Sequence, residues 1–364
     1  MPASETFKEN ALPALRSAGQ PRLLGEHPCC RGLLVFVKAL YSLLRLSRLP
    51  FDWYQGAGAR RRSAHFDTLA VHQTTVVVAR KFLRVAKMKD EDHQEEIRDP
   101  GLVLEGIRES VLKADIFTFD QKIPNTVPRY DYYHEFDSLA VIHIESYEDW
   151  WNHKIQNDAR RMVRKAQKQG LQVRPVPFSD ELMQGIKEIW DESPLRRGKP
   201  FNHYQKDFET VKAVNNTYPE RTEFIAAYLD EEMVGFAKMF YTANRADLIQ
   251  IISKMKHRDK APTNALLAKA VEVCAEKKIP HLGYAKLVYG RKGPDSLTEW
   301  KLRNGCEQVL VPRYYIPLTL KGRLALSCNL HKGLMQALPG PLLRWLLVVR
   351  ARLYSIRYRD DTAQ

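Results

Sequence analysis

The sequence predicts an α/β fold, or α+β in terms of layers, with a mixed sheet flanked by helices and a basic helical C-terminal extension. Residues 224–229, 233–241 and 247–253 are apolar and separated by short polar turns, so they predict three consecutive antiparallel strands. A long helical pattern at 262–277 precedes a further strand at 281–284, and a helix of this length permits a crossover to a parallel neighbour. We therefore expect both kinds of strand pair in one sheet, with a point where two strands splay apart.

The positive charge of the chain is concentrated at its two ends. The 364 residues include 57 Lys and Arg against 43 Asp and Glu, a formal net charge of +14. Residues 1–64 hold ten Lys and Arg against four acids, and residues 321–364 hold eight against two, whereas the residues between them are nearly balanced. With 44% hydrophobic residues the chain can bury a sizeable core, which excludes wholesale disorder. The composition indicates a globular body with basic ends.

Local patterns predict the remaining elements. Before residue 146 we predict a helix within 32–46, a strand at 74–79, a helix at 102–114, and strands at 116–119 and 140–144. Ser146, with Asp149 three residues later, is close to a capping box and starts a helix that ends at Gln169, before Gly170. The elements predicted after it are a strand at 171–176, helices at 180–190, 208–217 and 296–303, and strands at 308–311 and 314–318.

Several classes of protein are excluded by what the sequence lacks. The best apolar run, 32–46, is shorter than the roughly 20 residues that span a membrane, and it starts too late for an ordinary secretory signal. The five cysteines are odd in number and have no zinc spacing, which indicates a reducing compartment. No G-x-S-x-G motif and no metal-ligand cluster is present. We expect a cytoplasmic protein without a metal, with peripheral binding at the inner face of the membrane as an alternative.

Three stretches together resemble the GNAT acyltransferase superfamily, and more closely its Fem-like branch of peptidoglycan-bridge aminoacyltransferases. The first is the basic helix followed by glycine at 157–171, NDARRMVRKAQKQGL. The second is the strand, acidic turn and strand at 224–237, and the third is the helix, lysine and glycine at 296–306, SLTEWKLRNGC. The resemblance covers roughly residues 130–320 and implies a GNAT-like sheet.

The resemblance also implies a division into domains. Residues 146–320 would form the GNAT-like acyltransferase domain, and residues 65–145 part of a second, degenerate GNAT-like unit. Residues 1–64 are then a basic, partly helical N-terminal extension, and residues 321–364 a basic amphipathic helical extension.

A phosphate-binding turn is expected before the helix at 262–277. GNAT enzymes bind the pyrophosphate of acyl-CoA on unpaired N–H groups at a positive helix N-terminus, after the pattern Arg or Gln, two residues, Gly, one residue, Gly or Ala. Arg258 matches this pattern, while Ala261 and Thr263 stand at the two small positions. The resemblance implies acyl-CoA as co-substrate, bound by Arg258, Lys260, Ala261, Thr263 and Asn264. A capped helix after a basic turn is the alternative.

Acyl transfer to an amine needs oxyanion stabilisation and a proton for the leaving group, but no covalent nucleophile. Tyr284, Lys286 and Tyr289 follow the strand that should line the split in the sheet, and the resemblance implies that a Tyr there protonates a leaving thiolate. His203 is a candidate base, and Tyr204 a candidate for orienting the acceptor. The alternatives are packing aromatics for the first set and an ordinary exposed loop for the second.

Basic residues recur at every fourth position of the predicted helix that ends at Gln169. They form two series, Arg160, Arg164 and Lys168, and Arg161 with Lys165. Such a face can bind the phosphates of CoA or tRNA, or it can simply be solvated. Lys301 resembles a basic position of the family, with a solvated helix lysine as the alternative.

The function favoured by the sequence is an N-acyltransferase that moves an acyl group from acyl-CoA directly to a small-molecule or peptide amine. One alternative is an aminoacyl-tRNA-dependent transferase acting on a peptidoglycan precursor or peptide, which the basic ends favour because phosphate neutralisation drives RNA binding. Another is a non-catalytic GNAT-like module that binds an anionic membrane or partner. The acid-free, amphipathic residues 321–359 are the candidate membrane surface, with packing on the body or RNA binding as alternatives.

Overall fold

The computed structural model describes residues 66–71, 74–79, 83–111, 113–196, 198–288 and 295–332, and four positions beyond these, 345, 348, 349 and 352. The strands are β1 (Phe66–Val71), β2 (Thr74–Ala79), β3 (Val85–Met88), β4 (Ile116–Asp120), β5 (His134–His143), β6 (Gln172–Val176), β7 (Leu195–Arg196), β8 (Lys199–Pro200), β9 (Thr222–Leu229), β10 (Glu232–Tyr241), β11 (Ala246–Ser253), β12 (His281–Lys286) and β13 (Glu307–Pro317). The α-helices are α1 (Pro100–Glu109), α2 (Tyr147–Asp149), α3 (Asn157–Lys168), α4 (Asp180–Asp191), α5 (Phe208–Asn215), α6 (Pro262–Glu276), α7 (Ser296–Arg303) and α8 (Leu320–Ser327).

All strands except the β7–β8 pair join one mixed sheet, in the order β1-β2-β3-β4-β13-β5-β12-β11-β10-β9-β6. The pairs β3–β4 and β11–β12 are parallel, and the other neighbours are antiparallel. β9, β10 and β11 are the three predicted antiparallel strands, and α6 makes the predicted crossover to β12. The predicted fold class is therefore confirmed.

One sheet runs through both predicted domains. β13 lies between β4 and β5, although it follows them by more than 150 residues in the chain. The described residues all belong to the unit Trp53–Gln364. The extension predicted for 1–64 lies outside the described residues, as does most of 333–364, so the domain boundaries stay a prediction.

Alternate side chains of the central strands enter two different cores. On β9, Ile225 packs with α3 and α6, whereas its neighbour Phe224 packs with α4 and α5. Successive residues of a strand point to opposite faces, so the helices cover both sides of this part of the sheet. α1 packs in a third core against Phe117 and Phe119 of β4.

The predicted single helix from 147 to 169 is interrupted. After α2 the chain forms a π-helical turn, Trp150–Lys154, and Ile155 is extended before α3 begins. The buried Trp150 ring donates from Nε1 to the Asn304 carbonyl at 3.0 Å, and Arg160 donates to the freed Ile155 carbonyl at 3.1 Å. Tertiary contacts thus compensate for the break. No helix within the described part of the chain is long and apolar enough to cross a membrane.

Candidate functional site

The sheet opens between β11 and β12. These strands pair only at Ala246 with Leu282 and at Asp247 with Gly283, after which they separate. Ala285 then adopts a left-handed conformation with φ 50°, at an irregularity in the pairing of β12 with β5. The extra residue turns the following side chain toward the opposite face. The expected split is therefore present and is lined by the ends of these two strands.

Lys301 of α7 holds the open end of β12. Its fully buried ammonium group donates to the carbonyl oxygens of Tyr284 at 2.6 Å and Lys286 at 2.8 Å, and it lies 4.2 Å from the centre of the Tyr284 ring. These carbonyls lie beyond the last pair with β11, so the lysine supplies bonds that a neighbouring strand would otherwise make. The alternative of a solvated helix lysine is wrong, because this ammonium group is part of the scaffold of the split.

Asp247 lies at the last paired position of β11. Its Oδ2 accepts a hydrogen bond from Nε of Arg245 at 2.7 Å. Its Oδ1 stands over Gly283, where the Cβ of any other residue would overlap the carboxylate. Burial raises the pKa of Asp247, and the neighbouring Arg245 opposes this shift. Glycine at 283 therefore makes room for a carboxylate at the start of the split.

Arg313 of β13 joins three carboxylates on the same side of the sheet. Its guanidinium group lies 2.8 Å from Asp137, 3.0 Å from Glu91 and 3.5 Å from Asp120. Lys286 also binds Asp137, at 2.6 Å. Lys122 and Asp120 interact electrostatically with Asp247, so the charges form a connected group. This central charge cluster consists of Glu91, Asp120, Lys122, Asp137, Arg245, Asp247, Lys286 and Arg313.

The side chains of the cluster are largely buried, and this burial shifts their pKa values. Burial raises the pKa of Glu91 to about 7, although Arg313 opposes the shift. Burial also disfavours the charge of Asp120, but Lys122 and Arg313 overcome it and hold the pKa of Asp120 well below its usual range. The surrounding carboxylates raise the pKa of Arg313 against its own burial. Charges in such a site are screened weakly by water and act strongly on one another.

Three of the residues predicted from sequence meet at the split, namely Tyr284, Lys286 and Lys301. Tyr284 is half-buried and packs edge-on against Trp300, with ring centres 6.1 Å apart. Tyr289 lies outside the described residues. Whether any of these side chains takes part in chemistry stays a prediction.

His203 lies in the core beside α4 and not in an exposed loop, so that alternative is wrong for this residue. Its ring packs at a tilt against Trp190, with ring centres 4.1 Å apart, and its Nδ1 lies 3.1 Å from the ammonium nitrogen of Lys206. Burial lowers the pKa of His203 to about 3, so the ring is neutral at physiological pH. The neighbouring Tyr204 is half-buried, and its hydroxyl lies 3.5 Å from Nε2 of Gln205.

The N-terminus of α6 has few donors left for a phosphate. Ala261 takes the left-handed conformation, φ 53°, in which the family pattern has a glycine. The N–H groups of Asn264 and Ala265 both bond the Ala261 carbonyl, at 3.1 and 3.4 Å, and Pro262 has none. Thr263 is left as the first-turn donor. Arg258 is exposed and Lys260 half-exposed beside this turn.

One side chain and two backbone N–H groups near this turn already have hydrogen-bond partners within the protein. The Asn264 side chain is buried and donates to the Asn304 side chain at 3.0 Å. At the start of the same turn, Glu192 accepts the N–H groups of Met255 at 2.5 Å and Lys256 at 3.0 Å. A carboxylate of the protein therefore already occupies two N–H donors at the start of this turn.

α3 presents the predicted basic face. Arg161, Arg164 and Lys165 are exposed, while Arg160 is half-buried and bonds the carbonyl oxygens of Asn152 and Ile155. The helix lies beside the turn 255–260, which adds further exposed basic residues. The exposed basic surface, as we call it, consists of Arg161, Arg164, Lys165, Lys168, Lys256 and Arg258.

Sequence reasoning found only Lys286 among the members of the central charge cluster. A signal was present: Asp120 and Lys122 flank the end of an apolar strand, and Arg245 and Asp247 begin another, although charged residues are rarely buried unless paired. Their partners, such as Arg313, are remote in sequence. Among the residues that the structure describes, His, Cys, Asp and Glu side chains form no group of three that could hold a metal ion.

The sequence and the fold are similar to those of known proteins. Residues 152–287 match the family model described as phosphatidylglycerol lysyltransferase, C-terminal. The structure resembles the C-terminal domain of a putative lysylphosphatidylglycerol synthetase from Agrobacterium fabrum, with 12% identity and a TM-score of 0.50 over 72% of this chain and 88% of that chain. It also resembles FemX, with 10% identity and a TM-score of 0.51 over 74% of this chain and 89% of that chain. No curated protein matches the sequence. The fold is therefore GNAT-like and is similar to the folds of FemX and of this lysylphosphatidylglycerol synthetase domain.

Proposed function

We propose that this chain is an aminoacyltransferase that moves an aminoacyl group from aminoacyl-tRNA to a hydroxyl group of an anionic phospholipid such as phosphatidylglycerol. The observation that carries the proposal is the match of residues 152–287 to the phosphatidylglycerol lysyltransferase family model. This segment contains the split in the sheet and supplies Arg245, Asp247 and Lys286 to the central charge cluster. The matched segment thus contains the split and three of the eight residues of the central charge cluster.

One carboxylate at the opening of the split is placed to bind a donor that carries positive charge. An aminoacyl ester has an α-ammonium group, and a lysyl ester has a second one at the end of its side chain. Asp247 gives one carboxylate oxygen to Arg245, and its other oxygen stands over Gly283 at the opening of the split. Hydrogen bonds between ionised groups are stronger than neutral ones, and more so where water is scarce. We assign to Asp247 the binding of the donor's ammonium group.

In the transfer step, the acceptor oxygen attacks the carbonyl carbon of the aminoacyl ester, and the bond from this carbon to the ribose oxygen breaks. The proton of the acceptor hydroxyl ends on the ribose oxygen that leaves. The protein has to position both substrates and to stabilise the negative charge that develops on the carbonyl oxygen. Lys286, which has about a quarter of its side chain exposed, is the proposed source of positive charge for this oxygen.

The donor is better explained as tRNA than as acyl-CoA. An acyl-CoA site would use the free N–H groups at the N-terminus of α6, but Pro262 has none and that of Asn264 bonds the Ala261 carbonyl. The exposed basic surface lies beside the same turn and offers several cations to an extended polyanion. These contacts support a donor held by its RNA backbone.

The test is the transfer of a labelled amino acid into lipid. Purified protein is incubated with vesicles that contain phosphatidylglycerol and with tRNA charged with labelled lysine or labelled alanine, and the extracted lipid is counted. We expect label in the lipid, and none when the tRNA is digested beforehand. Asp247→Asn should reduce transfer by about tenfold to a hundredfold, the loss typical of one charge-assisted hydrogen bond.

Asp180→Asn is the matched control, because Asp180 is an exposed carboxylate on α4 that pairs with Lys212. It should transfer like the unmodified protein. A parallel reaction contains labelled acyl-CoA and an amine acceptor. If label is transferred only in that reaction, the acyl-CoA reaction favoured by the sequence replaces the proposal. No transfer from either donor would favour the non-catalytic binding module.

A further inference from the structure

α8 turns two of its three leucines away from the protein. Leu320 is 82% exposed and Leu324 is 65% exposed, and their spacing of four places them on one face of the helix. The side that faces the body has the small residues Gly322 and Ala325, both buried. A surface helix of a globular protein normally shows the reverse, with its apolar stripe toward the core.

Close contacts with Asp115 fix this orientation. A Cβ at Gly322 would overlap the Asp115 carbonyl oxygen, so the helix backbone lies directly on that of the body. Thr319 caps the helix by accepting the Gly322 N–H at 3.0 Å, and its hydroxyl also donates to the Asp115 carboxylate at 3.1 Å. The N–H of Leu318 donates to the Asp115 carbonyl at 2.9 Å. The helix therefore cannot rotate to bury its leucines without breaking these contacts.

Both charged residues of α8, which lie next to the exposed leucines, are positive, and Lys321 also pairs with the buried Asp115 carboxylate at 3.5 Å. Lys321 and Arg323 of α8 are exposed beside them. From residue 321 to residue 359 the chain has eight Lys and Arg and no acidic residue. Within this stretch Trp345 is 55% exposed and Val348 is 56% exposed. The surface of an anionic bilayer is negative, and apolar acyl chains lie beneath it. Exposed leucine, valine and tryptophan side chains among cations are complementary to such a surface.

We infer that α8 docks this protein on an anionic lipid surface, with Leu320 and Leu324 entering the bilayer boundary. The inference goes beyond the transfer reaction and does not depend on it, since it rests on the exposed leucines and on the charge around them. A nucleic acid partner would be attracted by the same cations but would leave the leucines in water.

The experiment measures binding of the full chain to sedimenting vesicles of phosphatidylcholine, with and without phosphatidylglycerol. We expect binding only to the anionic vesicles. The double variant Leu320→Glu/Leu324→Glu should bind at least about tenfold more weakly, because it replaces two inserting side chains by acids. Val127→Glu is the matched control: Val127 is also exposed, 76%, but follows the opposite end of β4, and this variant should bind normally.

Two further readouts keep the inference open to refutation. Equal binding of the double variant and the unmodified protein would overturn it. So would a lower melting temperature of the double variant without lipid, or the loss of a dimer in solution, since either would mean that protein covers the leucines. Transfer to the soluble acceptor glycerophosphoglycerol, which needs no vesicle, tests the proposed function separately. A protein that binds anionic vesicles but transfers no amino acid to this acceptor or to lipid contradicts the proposed function and leaves the docking inference intact.

Discussion

Glu232 shows how a single side chain can be tied to the turn that precedes α6. Its carboxylate lies 2.7 Å from Lys254, 2.7 Å from Lys256 and 3.1 Å from His257. Hydrogen bonds from Lys254 and Lys256 lower the pKa of Glu232 to about 2, against the small opposing effect of burial. The carboxylate is therefore ionised far below the pH at which an unfolded glutamate takes up a proton.

Glu232→Gln should lower stability at neutral pH by about 1 kcal/mol, the size typical of partly exposed ion pairs. The folded-state pKa is below the unfolded value, so the stabilisation is present above the unfolded pKa of about 4.3 and is lost as the pH falls toward 2. Melting temperatures of variant and unmodified protein should thus differ at pH 7 and converge in acid. Glu105→Gln, at an exposed position of α1, is the control, and a pH-independent difference for Glu232→Gln would contradict the assignment.

Among the elements, two features shape the split between β11 and β12, one at the last pair of these strands and one just beyond it. Gly283 leaves space for the Asp247 carboxylate, and Lys301 binds the carbonyl oxygens of Tyr284 and Lys286 beyond it. The first feature requires a missing side chain, and the second requires a buried ammonium group. Together they let the strands separate after their last pair, while the two β12 carbonyls beyond it stay hydrogen-bonded.

Gly283→Ala tests the first feature. The added methyl group overlaps the Asp247 carboxylate, so we expect a loss of about 1–3 kcal/mol of stability and a transfer activity as low as that of Asp247→Asn. Urea unfolding and the lipid-labelling assay measure the two effects. Gly101→Ala, in the first turn of α1, is the control and should change stability by less than about 1 kcal/mol. A stable and fully active Gly283→Ala protein would show that Asp247 is free to move.

In the whole molecule, residues from the two halves of the sheet meet at the central charge cluster. Glu91 and Asp120 come from the side of β4, Arg245 and Asp247 from the side of β11, and Arg313 from the strand between them. The exposed basic surface lies beside the turn before α6. Donor recognition by its RNA backbone at that surface would be separate from recognition of its aminoacyl group at the cluster.

Arg161→Glu/Lys165→Glu should therefore weaken tRNA binding without changing the fold. Each phosphate contact that is lost reduces the slope of log affinity against log salt by about 0.7 to 0.9, so the double variant should bind with a shallower salt dependence. Filter binding of uncharged tRNA over a range of salt concentrations measures this slope. Arg108→Glu/Lys113→Glu, two exposed cations on and after α1, is the control. An unchanged slope in the first variant would place the RNA elsewhere.

Local sequence patterns were enough to predict the three antiparallel strands β9 to β11 and the crossover helix α6 of the GNAT-like sheet. The turns between 224 and 253 are too short for anything but antiparallel strands, and the 15 residues of α6 are long enough for a crossover. The sequence also indicated the basic face of α3 through spacing alone. Such features depend on residues close together in the chain, where propensity and periodicity act.

Which charges meet in the central charge cluster depends on the folded chain as a whole. Glu91 and Arg313 bind each other across 222 residues of sequence, and no local pattern relates them. The burial of Lys301 and of His203 was also invisible, since an isolated basic side chain is usually solvated. The physical reason is that burial, pKa and ion pairing are set by what the folded chain brings nearby, whereas strands and helices are set largely by their own residues.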